Sequence, residues 1–224
     1  PSPTPQLYRA ADPDKDQSYM LYMLQQQDLA RLMFPVGGYR KAEVRAMAAA
    51  RGLDSADRPE SQDICFVPGG DYRSLLRAEA PESLTPGPIV DQHGRELGRH
   101  SGLPLYTVGQ RRGLGLHGPE PLFVTALDTA RNALVVGPAA AVIRDGFVVE
   151  RASFVAGGWP GGPFSCHVQV RAHGAAVPAE VQPDDDGRLT LRLGEPLRAI
   201  SPGQAAVFYA SDRVIGGGLI ARPG

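Results

Sequence analysis

Two cysteines and a pair of adjacent arginines are the residues of this chain whose chemistry stands out. Cys65 sits between Asp63 and the turn Pro68-Gly69-Gly70, with Arg58 and Arg73 nearby in sequence. A thiol at a strand end beside a Gly-rich turn can be partly exposed, and neighbouring guanidinium charge lowers its pKa and raises the nucleophilic thiolate fraction. The plainer alternative is a core cysteine. Cys166 lies in Phe164–Val170, where alternation places it in a strand as a small buried hydrophobe. Gly109-Gln110-Arg111-Arg112-Gly113 joins two guanidiniums to flexible backbone, which suits contact with a phosphate chain. Its plainer alternative is a solvated hairpin turn.

Other chemistries find no footing. Gly113-Leu114-Gly115-Leu116-His117-Gly118 spells G-x-G-x-x-G, but Pro119-Glu120-Pro121 follows where a dinucleotide site requires a helix. No Walker loop and no G-x-S-x-G elbow occur. The histidines at 93, 100, 117, 167 and 173 show neither H-E-x-x-H nor pairing with C-x-x-C, so no metal is expected. With 23 basic and 24 acidic residues the net charge is −1, so any nucleic-acid binding must rest on local patches. Two cysteines are too few to staple 224 residues, which points to a reducing, cytoplasmic compartment. No apolar run approaches the roughly 18 residues of a membrane span, so no membrane partner is expected. The opening Pro1-Ser2-Pro3-Thr4-Pro5-Gln6 has no basic or apolar leader and reads as a trimmed start.

The elements that would position these residues fall into two styles. The apolar spacing of Met20, Met23, Leu24 and Leu32 predicts a helix over about 16–33, ended by Pro35 and Gly37-Gly38. A second helix runs from Lys41 to Arg51, with Gly52 at the C′ position. Ile64–Val67 reads as a short β run and Tyr72–Ala80 as a further helix. Beyond residue 85, Pro88–Val90, Leu105–Val108, Leu122–Leu127, Ala133–Val136 and Phe147–Val149 read as strands separated by Gly, Pro, Asp and Asn. Turns are expected at Asp91–Gly94, Asp128–Asn132 and Asp184–Gly187. Ser165–Val170, Ala179–Gln182, Leu189–Leu193, Ala205–Tyr209 and Val214–Ile220 supply at least five strands, enough for a compact barrel.

Asp14-Lys15-Asp16-Gln17-Ser18-Tyr19, Leu32-Met33-Phe34-Pro35-Val36-Gly37 and Ser61-Gln62-Asp63-Ile64-Cys65-Phe66 follow one another in this chain. After them come Thr107-Val108-Gly109-Gln110-Arg111-Arg112-Gly113-Leu114-Gly115, Ser201–Tyr209 and Gly216-Gly217-Gly218. In this order they resemble the bacterial tRNA-specific 2-thiouridylases over nearly the whole length. Members convert the wobble uridine of certain tRNAs to 2-thiouridine: ATP adenylates the base and a cysteine persulfide delivers sulfur.

The resemblance implies an α+β chain. Residues 1–73 would be a helical remainder of an α/β adenylating domain carrying the persulfide on Cys65. Residues 74–138 would form a small β-rich central domain, and 145–224 a C-terminal β-barrel that holds tRNA. Lys15, Asp16, Gln17, Arg171, Ala172 and Gln204 match tRNA-contacting positions, and Arg111 and Arg112 join them as basic candidates. Ala172 departs from an aromatic residue found in some members. ATP, and a second cysteine that helps release the sulfur and brings a disulfide bond into the family's chemistry, belong to an N-terminal domain whose S-G-G-x-D-S loop has no match here. The isolated chain is therefore expected to be inactive. A sulfur-donor protein of a persulfide relay is the implied partner besides tRNA. The competing reading is a non-catalytic RNA-binding or scaffolding barrel with structural cysteines.

Overall fold

A computed structural model of the 224-residue chain describes residues 4–58, 71–158, 161–198 and 200–221. The run Ile64–Val67 and Cys65 itself lie outside the described residues. The chain divides into two units. The first joins the N-terminal segment to 145–196 and 202–221; the second comprises 71–144 and 197–201.

The first unit is built on a closed six-stranded barrel of β5 (Ile143–Phe154), β6 (Phe164–Gln169), β7 (Val177–Pro183), β8 (Leu189–Arg198), β9 (Ala205–Ala210) and β10 (Arg213–Ile220). The strands close in the order β10-β5-β8-β7-β6-β9. Alternation explains most of it. Val177, Ala179 and Val181, then Leu189, Leu191 and Leu193, are buried while the residues between them are exposed. Phe154, Phe164 and Phe208 meet with ring centroids 6.1–6.4 Å apart.

β9 breaks this pattern, because Ala206, Val207, Phe208 and Tyr209 are all fully buried. A continuous apolar run needs cover on both faces of the sheet. The N-terminal segment supplies the outer cover: Leu7, Tyr19, Tyr22 and Leu29 form one buried cluster with Val155, Val207, Tyr209 and Val214. Each such side chain taken from water is worth roughly 1.5–3 kcal/mol.

That docking also breaks the helix expected over 16–33. The segment holds two single-turn helices instead, α1 (Ser18–Leu21) and α2 (Gln26–Leu29), separated at Gln25, whose backbone is extended and whose N–H is taken by the Asp28 carboxylate at 3.0 Å. Gln26 Nε2 donates to the carbonyls of Pro5 and Val155 at 2.9 and 2.7 Å, fastening the second turn to the barrel. Tertiary anchoring has overridden helical periodicity here. The next helix forms as expected: α3 (Lys41–Ala50) ends with Gly52 at φ +67°, and the Gly52 and Leu53 amides return to the Ala49 and Ala48 carbonyls.

The second unit carries α4 (Tyr72–Glu79), capped by Asp71, and a sheet ordered β2-β1-β4-β3. Its strands are β1 (Gly87–Val90), β2 (Glu96–His100), β3 (Phe123–Asp128) and β4 (Ala133–Gly137). Ile89, Leu103, Leu114, Val124, Leu134 and Val136 form its core. The strand expected at Leu105–Val108 is a 3-10 turn at Leu103–Leu105 followed by a turn at Gly109, because Gly102 at φ +137° and Pro104 divert the chain. Edge strand β2, Glu-Leu-Gly-Arg-His, is too polar to have been anticipated. Buried His100 is a satisfied core residue: Nδ1 accepts from the Gly102 amide, so Nε2 bears the proton and donates to the Asn132 carbonyl at 3.0 Å.

Docking on β9 requires close approach of β10. A Cβ on Gly217 would meet the Ala206 carbonyl oxygen at 2.6 Å and the Tyr22 ring at 2.7 Å. Gly217→Ala should therefore destabilise the first unit by about 1–3 kcal/mol, whereas Gly38→Ala, with nothing within 4 Å, should be neutral. Urea unfolding of the two variants checks this; equal midpoints would contradict the packing argument.

Candidate nucleic-acid interface

The geometry begins with Arg9, which lies on the outside of the barrel. Its guanidinium carbon stands 3.6 Å from the centroid of the Tyr209 ring, NH1 donates to Asp16 Oδ2 at 3.1 Å, and NH2 donates to Gln169 Oε1 at 2.8 Å. Asp16 is the other hub. Its Oδ1 accepts from the amides of Ala10 and Ser18, each at 3.0 Å, and Oδ2 also accepts from the Ser18 hydroxyl at 2.8 Å. The Ser18 hydroxyl in turn lies 3.2 Å from that of Tyr209. The Asp16 side chain is only 9% exposed. Lys15 and Gln17 on either side of it are exposed.

Burial is the largest influence on Asp16 and acts to raise its pKa. The hydrogen bonds from Ala10 and Ser18 and the charge of Arg9 together outweigh it and hold the carboxyl below its ordinary value of 3.8.

From Arg9 the network crosses to the end of β6. Gln169, 3% exposed, donates through Nε2 to the carbonyls of Arg171 and Ala172 at 2.8 and 3.0 Å. Arg171 and Ala172 are themselves exposed. The Arg171 charge also reaches the Tyr19 hydroxyl, where burial, with added repulsion from Tyr22 and Tyr209, pushes the pKa up to about 12 against the opposing pull of that guanidinium. Tyr19 Oη donates to the Ala205 carbonyl at 2.8 Å, one residue beyond Gln204. Gln169 lies opposite Val207 in the antiparallel β6/β9 ladder, so the turn after β6 and the approach to β9 share one rim of the barrel. There Gly203, at φ +83°, and Gln204 exchange backbone hydrogen bonds with Ile220. Gln204 Oε1 is buried without a partner among the described residues.

Three sequence segments far apart in the chain, around 15–17, 171–172 and 204, are thus joined through Asp16, Arg9, Gln169 and Tyr19. Arg111 and Arg112 belong to the second unit, where both are exposed on a loop braced by Gln110: its Oε1 accepts from the Thr107 amide at 3.1 Å and its Nε2 donates to the Arg112 carbonyl at 2.8 Å. No helix follows Gly113-Leu114-Gly115. Cys166 is a free, buried thiol whose pKa is pushed up to about 12, by burial first and by Glu180 second, which leaves it protonated and inert at neutral pH. Gly37-Gly38 sits in a turn and lacks the Ser and Asp of an ATP pyrophosphate loop.

Comparison with known proteins gives three family models in chain order. A tRNA methyl transferase HUP domain matches residues 2–69, a tRNA methyl transferase PRC-barrel domain 73–138, and an aminomethyltransferase beta-barrel domain 144–220. Curated relatives match across all three. The tRNA-specific 2-thiouridylase MnmA of Roseiflexus sp. (strain RS-1) is 64% identical over 98% of this chain and 59% of its own length. The protein of the same name from Chloroflexus aurantiacus is 66% identical over 97% of this chain and 61% of its own. That of Symbiobacterium thermophilum is 44% identical over 96% and 55%.

The chain belongs to the tRNA-specific 2-thiouridylase family. It spans about three fifths of the length of the curated 2-thiouridylases it matches. The α+β class expected of a 2-thiouridylase, with few helices, a small mixed sheet and a closed barrel, is the one observed. Among the described residues no helix is long and apolar enough to cross a membrane. Sequence reasoning missed Arg9, Ser18, Gln169 and Tyr209. Alternation in β6 places Ser165, His167 and Gln169 on one face, but nothing in the string shows that Gln169 alone of these is buried.

Asp16 yields a pH-dependent signature. Because its folded pKa is depressed, its stabilisation is fully present above the unfolded value near 4 and is lost as pH falls through the folded value. Asp16→Asn keeps an acceptor for the two amides but sets an NH2 group against Arg9, so it should cost about 1–3 kcal/mol at pH 7. In urea unfolding across pH 2.5–7, about the carboxylate range, the gap between the two proteins should narrow only below about pH 4. A constant gap would contradict the assigned ionisation.

Proposed function

We propose that this chain is the sulfur-carrying and tRNA-holding portion of a tRNA 2-thiouridylase. The observation that carries the reading is the convergence at one barrel rim of the three segments that the family resemblance assigns to tRNA. Lys15 and Arg171 supply positive charge there, on a protein of net charge −1. An exposed Arg suits phosphate positioning, and Gln17, Gln204 and the Ala172 backbone offer polar contacts that fix register more than they read bases. Arg111 and Arg112 would add phosphate contacts from the second unit. Asp16 serves the interface from within, by setting the backbone between Lys15 and Gln17.

Cys65 would carry a persulfide received from a sulfur-donor protein. Its outer sulfur attacks C2 of a wobble uridine already activated at oxygen; a C–S bond forms and the C–O bond breaks as the activated oxygen departs. A second thiol then attacks the Cys65 sulfur, the S–S bond of the adduct breaks, 2-thiouridine leaves with the electron pair, and a disulfide remains on the enzyme. Cys166, buried and protonated, does not supply that second thiol. ATP activation belongs to residues outside this chain, so the chain alone should be inactive.

Three outcomes test the reading. A small alkylating reagent should label Cys65 much faster than Cys166 in the folded chain. Joined to an adenylating domain, Cys65→Ser should bind tRNA yet form no 2-thiouridine. Equal slow labelling, or full activity of the serine variant, would favour a scaffolding barrel. Arg171→Ala should weaken binding of unmodified tRNA and reduce the slope of log K against log salt by about one or less. An unchanged slope would remove Arg171 from the interface.

A further inference from the structure

We propose that Gln169, gripped by Arg9, is the positioning residue that presents the Arg171–Ala172 turn to the phosphate backbone of RNA; this rests on the reading of the rim as a tRNA site. Gln169 is 3% exposed, so its own amide does not reach a ligand. Its orientation is nonetheless fixed. Arg9 can only donate and the Arg171 and Ala172 carbonyls can only accept, so Oε1 must face the guanidinium and Nε2 the turn. The amide makes three hydrogen bonds, one accepted from Arg9 and two donated to the turn, which use both of its N–H groups.

A further backbone tie runs from the Gly174 amide to the Arg171 carbonyl at 3.0 Å. Arg171 O thus receives two donors, and Ala172 O is drawn toward the same buried amide. Two peptide dipoles then keep their negative ends toward the protein rather than toward an approaching polyanion. The Arg171 side chain stays exposed on that clamped backbone. Ordering one backbone residue on binding costs about 1–2 kcal/mol, and a turn fixed beforehand avoids that loss.

Arg9 completes the device without serving as a phosphate contact. Its charge is answered by Asp16 at 3.1 Å and one face is covered by the Tyr209 ring. Through Asp16, which holds the Ala10 and Ser18 amides, the same guanidinium fixes the Lys15–Gln17 backbone. One half-buried Arg therefore sets two candidate contact segments whose residues are more than 150 positions apart in the chain.

The test uses the 224-residue chain and Gln169→Glu, which keeps an acceptor for Arg9 but offers the two carbonyls no donor. Hydrogen exchange at the amides of 170–176 should accelerate by about tenfold or more, with β9 amides unchanged. Affinity for unmodified tRNA should fall about three- to tenfold, the scale of losing one or two hydrogen bonds. Added to Arg171→Ala, Gln169→Glu should cost little more, because both act through the same guanidinium. Unchanged exchange in the turn, or a full additive loss in the double variant, overturns the proposal. An exchange response with no effect of Arg171→Ala on tRNA affinity instead overturns the presentation to RNA together with the reading beneath it. Should Gln169→Glu also loosen β9, Arg9→Lys decides by the same readouts, since it keeps a charge for Asp16 but loses the fork that reaches Gln169.

Discussion

The half-buried Arg9 guanidinium stands at the centre of the polar network that ties the N-terminal segment to the barrel of the first unit. Taking an Arg and an Asp largely out of water is costly unless every donor and acceptor is answered, and a half-answered network is worse than an apolar one. Here the guanidinium finds a carboxylate, an amide oxygen and an aromatic face, and the carboxylate finds two amides and a hydroxyl. Hydrophobic packing of Leu7, Tyr19, Tyr22 and Leu29 supplies the adhesion of the N-terminal segment to β9, but packing tolerates small slips. The polar network does not. A shift of one residue would strand a charge, so the network specifies where along the barrel the segment lies.

That specification reaches into residues that look unrelated in the string. Gly216-Gly217-Gly218 lies in β10, as expected for Val214–Ile220, and added Cβ atoms there would meet the Ser153 carbonyl, the Tyr22 ring or Val149. The tract is bare because neighbours on both sides approach closely, not because a ligand must be cradled. Gly203 has a different reason: a positive φ that lets Ser201-Pro202-Gly203-Gln204 turn into β9 and close its backbone hydrogen bonds with Ile220.

How much of this was legible follows from the range of each interaction. β7 and β8 were plain because alternation is local and one face of each is exposed. The Asp184–Gly187 turn was plain because Asp184 satisfies its own neighbours' amides, at Asp186 and Arg188. The helix over 16–33 was misread because the apolar residues that suggested it, Met20 and Met23, are more than half exposed, while Tyr19, Tyr22 and Leu29 are the ones buried. β2 went unnoticed because an edge strand needs little apolar content. The proposed tRNA positions 15–17, 171–172 and 204 were reachable only through family resemblance. The residues that join them were not, since the Arg9 to Gln169 contact spans 160 positions and neither residue type announces burial.

Ala172 shows how such an interface can tolerate change. At position 172 this chain offers only a methyl group, so stacking cannot come from that side chain. Its carbonyl, however, is held by Gln169 at 3.0 Å, and that hydrogen bond is indifferent to the side chain attached. Backbone geometry set by a buried neighbour can therefore persist while the exposed side chain varies. The same division applies along the rim: Asp16, Arg9, Gln169 and Tyr19 fix shape from inside, and Lys15, Gln17 and Arg171 present charge and polarity outside. A surface organised this way suits a ligand recognised by the spacing of its phosphates, because spacing is what a rigid backbone preserves.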